Sequence, residues 1–189
     1  MRRWIVLLCL FSSMAANAVE YQIDTKGAHA FIEFRIKHLG FSWLLGWFTR
    51  FDGYFHYDPD HPERSRVELT IDVASLDSNH AERDKHLRSE RFFDVKKFPQ
   101  ARFVSTSWQE LGDGKARLAG ELTLRGITRK IVLDVNHIGH GRDPWGGYRR
   151  GFEGTTTLYL SDWKMKEAKI LGPEAEEILV YVTLEGVRK

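Results

Sequence analysis

Several side chains that can bind a metal ion or transfer a proton occur close together in this sequence. His137, His140 and Asp143 fall within one short segment, and imidazole and carboxylate groups can ligate a metal there. Two histidines at a strand end are more often solvated, so we predict no metal site. Asp84 and His86 are two positions apart in a predicted helix, so they do not share a face and are a poor acid–base pair.

Other catalytic signals are weak. Ser161 and Asp162 end a predicted strand without the strand–turn–helix context that exposes a hydrolase nucleophile. The sequence contains no glycine-rich phosphate loop and no HExxH zinc motif. We therefore predict no catalytic residue and no cofactor, and an unrecognised enzyme is an alternative.

The N-terminus has the pattern of an export signal. Arg2 and Arg3 precede an apolar run from 4 to 11, and Ala16-Asn17-Ala18 is a small-x-small cleavage site. The apolar run is too short to span a bilayer as a helix. We predict that residues 1–18 are a signal peptide and that residues 19–189 form one exported, periplasmic domain.

Charge and cysteine content exclude several classes of function for the mature chain. Cleavage removes two of the 28 Lys and Arg and none of the 26 Asp and Glu, so the formal charges balance. The basic surface expected of a nucleic-acid binder is missing, and we predict no nucleic-acid partner. The single cysteine, Cys9, lies inside the signal, which excludes disulfides and thiolate chemistry in the exported protein.

Alternation of apolar and polar residues predicts that most of the chain forms β-strands. Any functional site must therefore be positioned mainly by strands. The pattern is clearest over residues 66–73, where Val67, Leu69, Ile71 and Val73 alternate with polar neighbours. Similar segments bring the predicted strands to about eight: 30–37, 47–57, 101–109, 115–125, 129–138, 151–161 and 178–188. Gly112-Asp113-Gly114 and Arg125-Gly126 predict hairpin turns.

One interior helix is predicted, over residues 79–88 with Ser78 as its cap. Many strands and one helix favour a closed antiparallel barrel, because closure removes exposed strand edges. The predicted fold class is all-β, and a two-sheet sandwich is the alternative.

Seven motifs in a fixed order carry a resemblance to a known family: YQID at 21–24, FRIKHLG at 34–40, FDG at 51–53, HLRSERFFD at 86–94, FP at 98–99, GELTLRGIT at 120–128 and GTTTLYLSDW at 154–163. With the export signal, they make the chain resemble the YceI-like family of periplasmic polyisoprenoid-binding proteins. The resemblance implies a lipocalin-like eight-stranded antiparallel β-barrel that holds an amphiphilic isoprenoid, either a polyprenyl or a quinone-like lipid. Members of the family are often linked with a membrane b-type cytochrome, which implies such a partner.

Residues 41–57 contain eight aromatic side chains. An eight-stranded barrel is either filled by its side chains or just able to enclose a ligand. The rings could line a cavity or simply fill the core, and the family resemblance favours the cavity. Phe48 has the opposite strand parity from Phe51 and Phe55, so all three can point inward only if a bulge intervenes.

The predicted ligand-binding residues form two groups. The first is the barrel wall, namely Ile32, Phe34, Ile36, Phe48, Phe51, Phe55, Leu122 and Leu124. The second lies near an opening, namely His38, Trp43, Trp145 and Tyr148. By itself, His38 favours a structural role, and the loop with Trp145 and Tyr148 could equally be a long hairpin tip.

The predicted function is therefore a non-enzymatic periplasmic carrier that sequesters an amphiphilic isoprenoid or quinone-like lipid in an apolar cavity. The alternative is a stress-associated interaction module with a filled core. A homodimer is a further prediction, because apolar residues fall on both strand faces.

Overall fold

The computed structural model describes residues 18–165, 167 and 173–189. Within these ranges the chain forms an antiparallel sheet of eleven strands and one α-helix, α1 (Ala81–Arg88). The strands are β1 (Val19–Ile23), β2 (Ala30–His38), β3 (Ser42–Phe48), β4 (Phe51–Tyr57), β5 (Arg66–Asp72), β6 (Leu76–Asp77), β7 (Gln100–Gly112), β8 (Lys115–Leu124), β9 (Ile127–Arg142), β10 (Tyr148–Tyr159) and β11 (Glu177–Arg188). Short 3₁₀ turns cover Pro62–Arg64, Val73–Ser75, Leu160–Trp163 and Pro173–Glu176.

The eleven strands of the described chain occupy eight positions of a closed ring. β11 pairs with β2 over Ile178–Leu184 and then with β1 over Gly186–Arg188, so β1 and β2 act as one interrupted strand. In the same way β3 and β4 pair with β2 and β1, and β5 and β6 pair with β4 and β3. The predicted eight-stranded barrel is therefore confirmed, and the sandwich alternative is wrong.

The two hairpin turns predicted from glycine are present. Asp113 and Gly114 join β7 to β8, and Arg125 and Gly126 join β8 to β9. All four residues have positive φ angles of 51–72°, which is the backbone geometry of the tight turns that match strand twist.

The segment 47–57, predicted as one strand, is divided at Thr49 and Arg50 into β3 and β4. Ser75 holds the break, because its hydroxyl accepts from the Arg50 amide (3.0 Å) and its carbonyl accepts from the Thr49 amide (3.2 Å). The interruption changes the strand parity, and Phe48 and Phe55 both line the barrel interior. The strand break therefore changes the parity in the way that was expected of a bulge.

The helix begins later than the sequence predicts. Asn79 has a φ of 60°, which a right-handed helix does not permit, and α1 begins at Ala81. Its cap is His80, whose Nδ1 accepts from the Arg83 amide at 3.2 Å, and the predicted Ser78 cap is wrong.

Ser78 is instead a partner of a buried carboxylate. Asp84 is 6% exposed, and its Oδ1 accepts from the Ser78 amide (2.9 Å) and from the Ser78 hydroxyl. Farther along α1, the Arg88 guanidinium donates to the Ala74 and Leu76 carbonyls. These bonds fasten α1 to the segment around β6, at the end of the barrel that we call the helical end. The opposite end is the base.

The predicted export signal, residues 1–18, lies outside the described residues except for Ala18. None of the helices in the described chain is long and apolar enough to cross a membrane.

Replacing Asp84 with alanine tests the attachment of α1. The change leaves the buried Ser78 amide without an acceptor, and we expect it to lower the free energy of unfolding by about 1–3 kcal/mol. Urea denaturation followed by circular dichroism measures this. Glu82→Ala on the same helix removes a carboxylate whose side chain is 78% exposed, and it should change stability by less than about 0.5 kcal/mol. Equal effects of the two changes would contradict a structural role for Asp84.

Candidate functional site

The barrel encloses a cavity of about 360 Å³, within the range of roughly 300–1,000 Å³ found for ligand pockets. It is lined mainly by aliphatic and aromatic side chains that alternate along the strands and point inward. β2, β8 and β11 supply Ile32, Phe34, Ile36, Leu118, Leu122, Leu124, Ile178, Val180, Val182 and Leu184. Strand periodicity thus builds an apolar lumen.

The lumen stays open partly because two phenylalanine rings lie back against glycines. A Cβ atom at Gly46 would lie 2.4 Å from the Phe34 ring, and one at Gly120 would lie 2.4 Å from the Phe103 ring. Such distances are far below van der Waals contact, so only glycine leaves room for the rings at the wall. Any larger residue would push these rings into the lumen.

The base of the barrel is closed by an aromatic cluster of Tyr21, Phe55, Tyr57, Trp108 and Phe152. Tyr21 stacks on Phe55 with centroids 4.9 Å apart, and Phe152 contacts Phe55, Tyr57 and Trp108 at 5.3–5.6 Å. Edge-to-face geometry of this kind is favourable between rings. Burial, and secondarily the nearby Glu110 carboxylate, raises the pKa of Tyr57 above its usual value. The phenol therefore remains neutral.

A buried cation lies behind this cluster. Arg150 is 6% exposed, its guanidinium lies 4.5 Å from the Tyr57 ring centroid, and it is 3.1 Å from His137 Nε2. Burial and then the Arg150 charge lower the pKa of His137, so the imidazole is neutral and can accept from the guanidinium. Cation–π contact and this hydrogen bond compensate part of the cost of the buried charge, while the Arg150 Nε has no hydrogen-bond partner among the described residues. Arg150 does not line the cavity.

Charged and titratable side chains line the helical end of the cavity. His38 at the end of β2, Arg83 and His86 on α1, and Glu167 border the lumen there, together with Leu44 and Leu87. At the base, the Ser65 hydroxyl is buried and has no hydrogen-bond partner among the described residues. The lumen is therefore mainly apolar and has a cluster of charged and titratable groups at the helical end, while His56 and Glu153 also border it away from that end. This arrangement suits an amphiphilic molecule.

Among the described residues, the pairing between β9 and β10 is incomplete. Their pairing stops at Thr155 opposite Asp134, although β10 remains paired with β11 as far as Tyr159. An outer groove lies over this region and shares the lining residues Ile131 and Leu158 with the cavity. The lumen thus approaches the outer surface through the side of the barrel as well as at the helical end.

Eight of the residues predicted from the sequence line the cavity together: Ile32, Phe34, Ile36, His38, Phe48, Phe55, Leu122 and Leu124. Phe51 does not. It packs against core residues immediately after the strand break, and its cross-strand neighbour Ile71 lines the lumen in its place.

Three further residues that were predicted near an opening do not line the cavity. Trp43 points outward beneath the Arg35 guanidinium, 4.8 Å from its ring centroid, because Leu44 takes the inward position on β3. Trp145 and Tyr148 lie at the base, since the neighbouring Arg149 pairs with Val187 near the C-terminus of β11. The β9–β10 loop is therefore a long hairpin tip away from the charged end of the cavity.

The prediction missed several lining residues, including Phe103, Trp108, Leu133 and Phe152. All four fall in segments predicted as strands. Alternate residues of a strand point to the same face. Counting every second residue along those predicted strands from an apolar inward position could therefore have identified these lining residues.

Three carboxylates at the base form ion pairs with one arginine, and histidines lie nearby. The Arg149 guanidinium lies 2.6 Å from Asp24 and from Asp143 and also contacts Glu185. A hydrogen bond from His29, and then Arg149, lowers the pKa of Asp24 to about 2. The rings of His137 and His140 stack on each other at 5.4 Å, and Asp143 is bound to Arg149. The predicted absence of a metal at His137, His140 and Asp143 is compatible with this arrangement and stays a prediction.

A closed eight-stranded β-barrel with one helix and an enclosed, ligand-sized apolar lumen is a lipocalin-like architecture. The model of the YceI-like domain matches residues 21–185, so the chain belongs to the YceI-like domain family.

Known proteins resemble the chain over nearly its whole length. A UPF0312 protein of Ectopseudomonas mendocina is 51% identical over 174 residues, covering 92% of this chain and 90% of the relative. BcnA of Burkholderia cenocepacia has a similar structure, with a TM-score of 0.76, 24% identity, and 86% and 98% of the two chains covered. A polyisoprenoid binding domain from Saccharophagus degradans has a TM-score of 0.65 and 14% identity, covering 90% and 99%. The last two likenesses concern the fold.

Replacing Gly46 with alanine tests how the lumen is kept open. The new methyl group must displace the Phe34 ring, and we expect a loss of about 1–3 kcal/mol from overpacking together with a smaller cavity. Thermal unfolding and a crystal structure measure the two effects. Gly139→Ala is the matched control, because a Cβ atom at this strand glycine meets nothing within 4 Å. If both variants have the stability of the parent, the close glycine–ring contact does not shape the lumen.

Proposed function

We propose that this protein binds an amphiphilic isoprenoid, a polyprenyl or quinone-like lipid, with its apolar tail in the barrel lumen. The observation that carries the proposal is the hollow interior itself, about 360 Å³ bounded mainly by hydrocarbon and aromatic surface. The bound molecule is held by burial rather than by covalent chemistry, so the role is binding and not catalysis.

An unfilled lumen of this size is costly to the protein. Cavities left by truncated core side chains cost about 24 cal/mol per Å³, so this volume represents several kcal/mol of stability that a filled core would provide. Each methylene-sized group of a bound tail recovers roughly 0.8 kcal/mol. A flexible isoprenoid chain therefore fits both the shape and the energetics of the site.

The charged groups indicate how the lipid lies. Arg83, His86 and His38 border the lumen at the helical end, where a polar head can accept hydrogen bonds and remain near water. The aromatic cluster closes the base and favours the tail. The head therefore faces the helical end, and the tail extends towards Phe152.

Membership of the YceI-like family and the similarity of fold to a polyisoprenoid binding domain support this choice of ligand. The export signal at residues 1–18 supports a periplasmic location, and a carrier or sequestering role follows from reversible burial of the lipid. A membrane b-type cytochrome partner and a homodimer stay predictions, since no contact in the structure bears on them.

Native mass spectrometry of protein purified from the exporting compartment tests the proposal directly. We expect a stoichiometric adduct, released by organic extraction and identified as a long-chain isoprenoid or quinone. A ligand-free mass that stays unchanged after incubation with such lipids would contradict the binding role.

Obstructing the lumen should abolish retention without unfolding the barrel. Val180 lines the lumen where the outer groove adjoins it, and Val180→Trp is designed to place an indole in space that the lipid would occupy. We expect at least a tenfold loss of bound lipid in the extraction assay, with an unchanged or higher melting temperature. Leu179→Trp, at the outward neighbour on β11, should retain lipid like the parent. Equal retention by both variants would place the lipid outside the lumen.

A further inference from the structure

The hairpin between β2 and β3 projects two large apolar side chains into solvent. Leu39 is 50% exposed and Phe41 is 86% exposed. A Cβ atom added at Gly40, between them, would meet nothing within 4 Å, so the tip stands clear of the rest of the described chain. Exposed phenylalanine at an isolated tip indicates an interaction surface.

The turn itself is built at a cost. Leu39 and Gly40 have φ angles of 52° and 77°, a combination for which Asn-Gly is the favoured pair. A leucine at positive φ is strained, and Leu39 remains 50% exposed here. An apolar side chain is therefore present at a position where it is both strained and exposed. This combination indicates a role outside the folding of the hairpin.

Side chains behind the tip follow a regular order. Trp43 is exposed on the outer face of β3, about 7 Å along the strand from Phe41, at roughly 3.3 Å per residue. The Arg35 guanidinium lies 4.8 Å from its ring centroid and the Lys37 ammonium 6.0 Å. Lys37 lies directly opposite Trp43 in the strand register, so the tryptophan and two cations share one level behind the aliphatic and phenyl tip. Leu45 and Trp47 are exposed farther along the same face.

This order matches the layers of a lipid bilayer. Apolar groups enter the acyl region to a depth of roughly 5–10 Å, tryptophan prefers the interface, and Lys and Arg are attracted to anionic headgroups. A protein partner would explain the exposed apolar area, whereas tryptophan and two cations immediately behind an apolar tip favour a bilayer with acidic headgroups. The charge of Arg35 and Lys37 selects a bilayer that contains acidic lipid.

The hairpin also adjoins the charged end of the cavity. His38 and Leu44, on either side of the tip, line the lumen together with Arg83 and His86 of α1. We propose that the β2–β3 tip, Leu39 to Phe41, inserts into an anionic bilayer and docks the helical end of the barrel on the membrane. This role of the docking rests on the proposed lipid-binding function, since a lipid can then pass between the bilayer and the lumen without crossing bulk water.

Vesicle binding tests this docking with the mature protein, residues 19–189. The probe is a protein-free vesicle of phosphatidylethanolamine and phosphatidylglycerol, and the readout is the partition coefficient from co-sedimentation at low and high salt. The test variant is L39N/F41S, which removes the apolar tip and introduces the residue that the turn prefers, so the fold is retained. The control is W145S, which removes a 79% exposed aromatic side chain at the base.

We expect the parent and W145S to bind anionic vesicles, more weakly at high salt, and L39N/F41S to bind at least tenfold less. Binding of L39N/F41S equal to that of the parent would overturn the proposal. So would the absence of parental binding to protein-free vesicles when membranes that retain their proteins are bound, which would indicate a protein receptor. Lipid retention by native mass spectrometry reports separately on the lumen: Val180→Trp should lose lipid and still dock, and L39N/F41S should retain lipid.

Discussion

Closure of the strand ring is the constraint on which the rest of this structure depends. Three residue pairs between β1 and β11, from Tyr21 opposite Arg188 to Ile23 opposite Gly186, join the first described strand to the last. The Tyr21 ring stacks on Phe55 across the neighbouring strand, so the seam and the aromatic base reinforce each other. Without this seam the base would open and water would enter the lumen from both ends.

The breaks between β3 and β4 and between β5 and β6 allow the barrel to close while its aromatic side chains still line a hollow interior. Continuous strands of fixed parity would place Phe48 and Phe55 on opposite faces, whereas the break at Thr49 and Arg50 turns both inward. The matching break between β5 and β6 supplies Ser75, which hydrogen-bonds to both residues of the first break. The two breaks lie on adjacent strands, and the hydrogen bonds between them pair the backbone amides of Thr49 and Arg50.

The two ends of the barrel are chemically different, and this polarity relates the fold to its proposed role. The base concentrates rigid contacts, namely the aromatic cluster, the buried Arg150 and the ion pairs of Arg149. The helical end carries a cluster of charged groups that border the lumen, and its hairpin presents apolar side chains outward. Fully buried side chains such as Leu76 and Trp163 also pack at the helical end, so both ends contribute to the stability of the barrel.

The sequence by itself determined most of the longer strands, the two glycine turns, the family, and the inward faces of the segments that alternate cleanly, such as Ile32, Phe34 and Ile36 on β2. Alternation settles these because neighbouring side chains on a strand must point to opposite faces. The sequence did not identify β1 or β6, and it joined the end of β3 to β4. Only the tertiary structure decided that Phe51 lies off the lumen and that Trp145 lies at the base. Those placements depend on strand breaks and on the register between strands distant in sequence. The hollowness of the barrel was likewise undetermined, because it depends on the seating of Phe34 and Phe103 against glycines of other strands, a contact that no pattern within a single strand encodes.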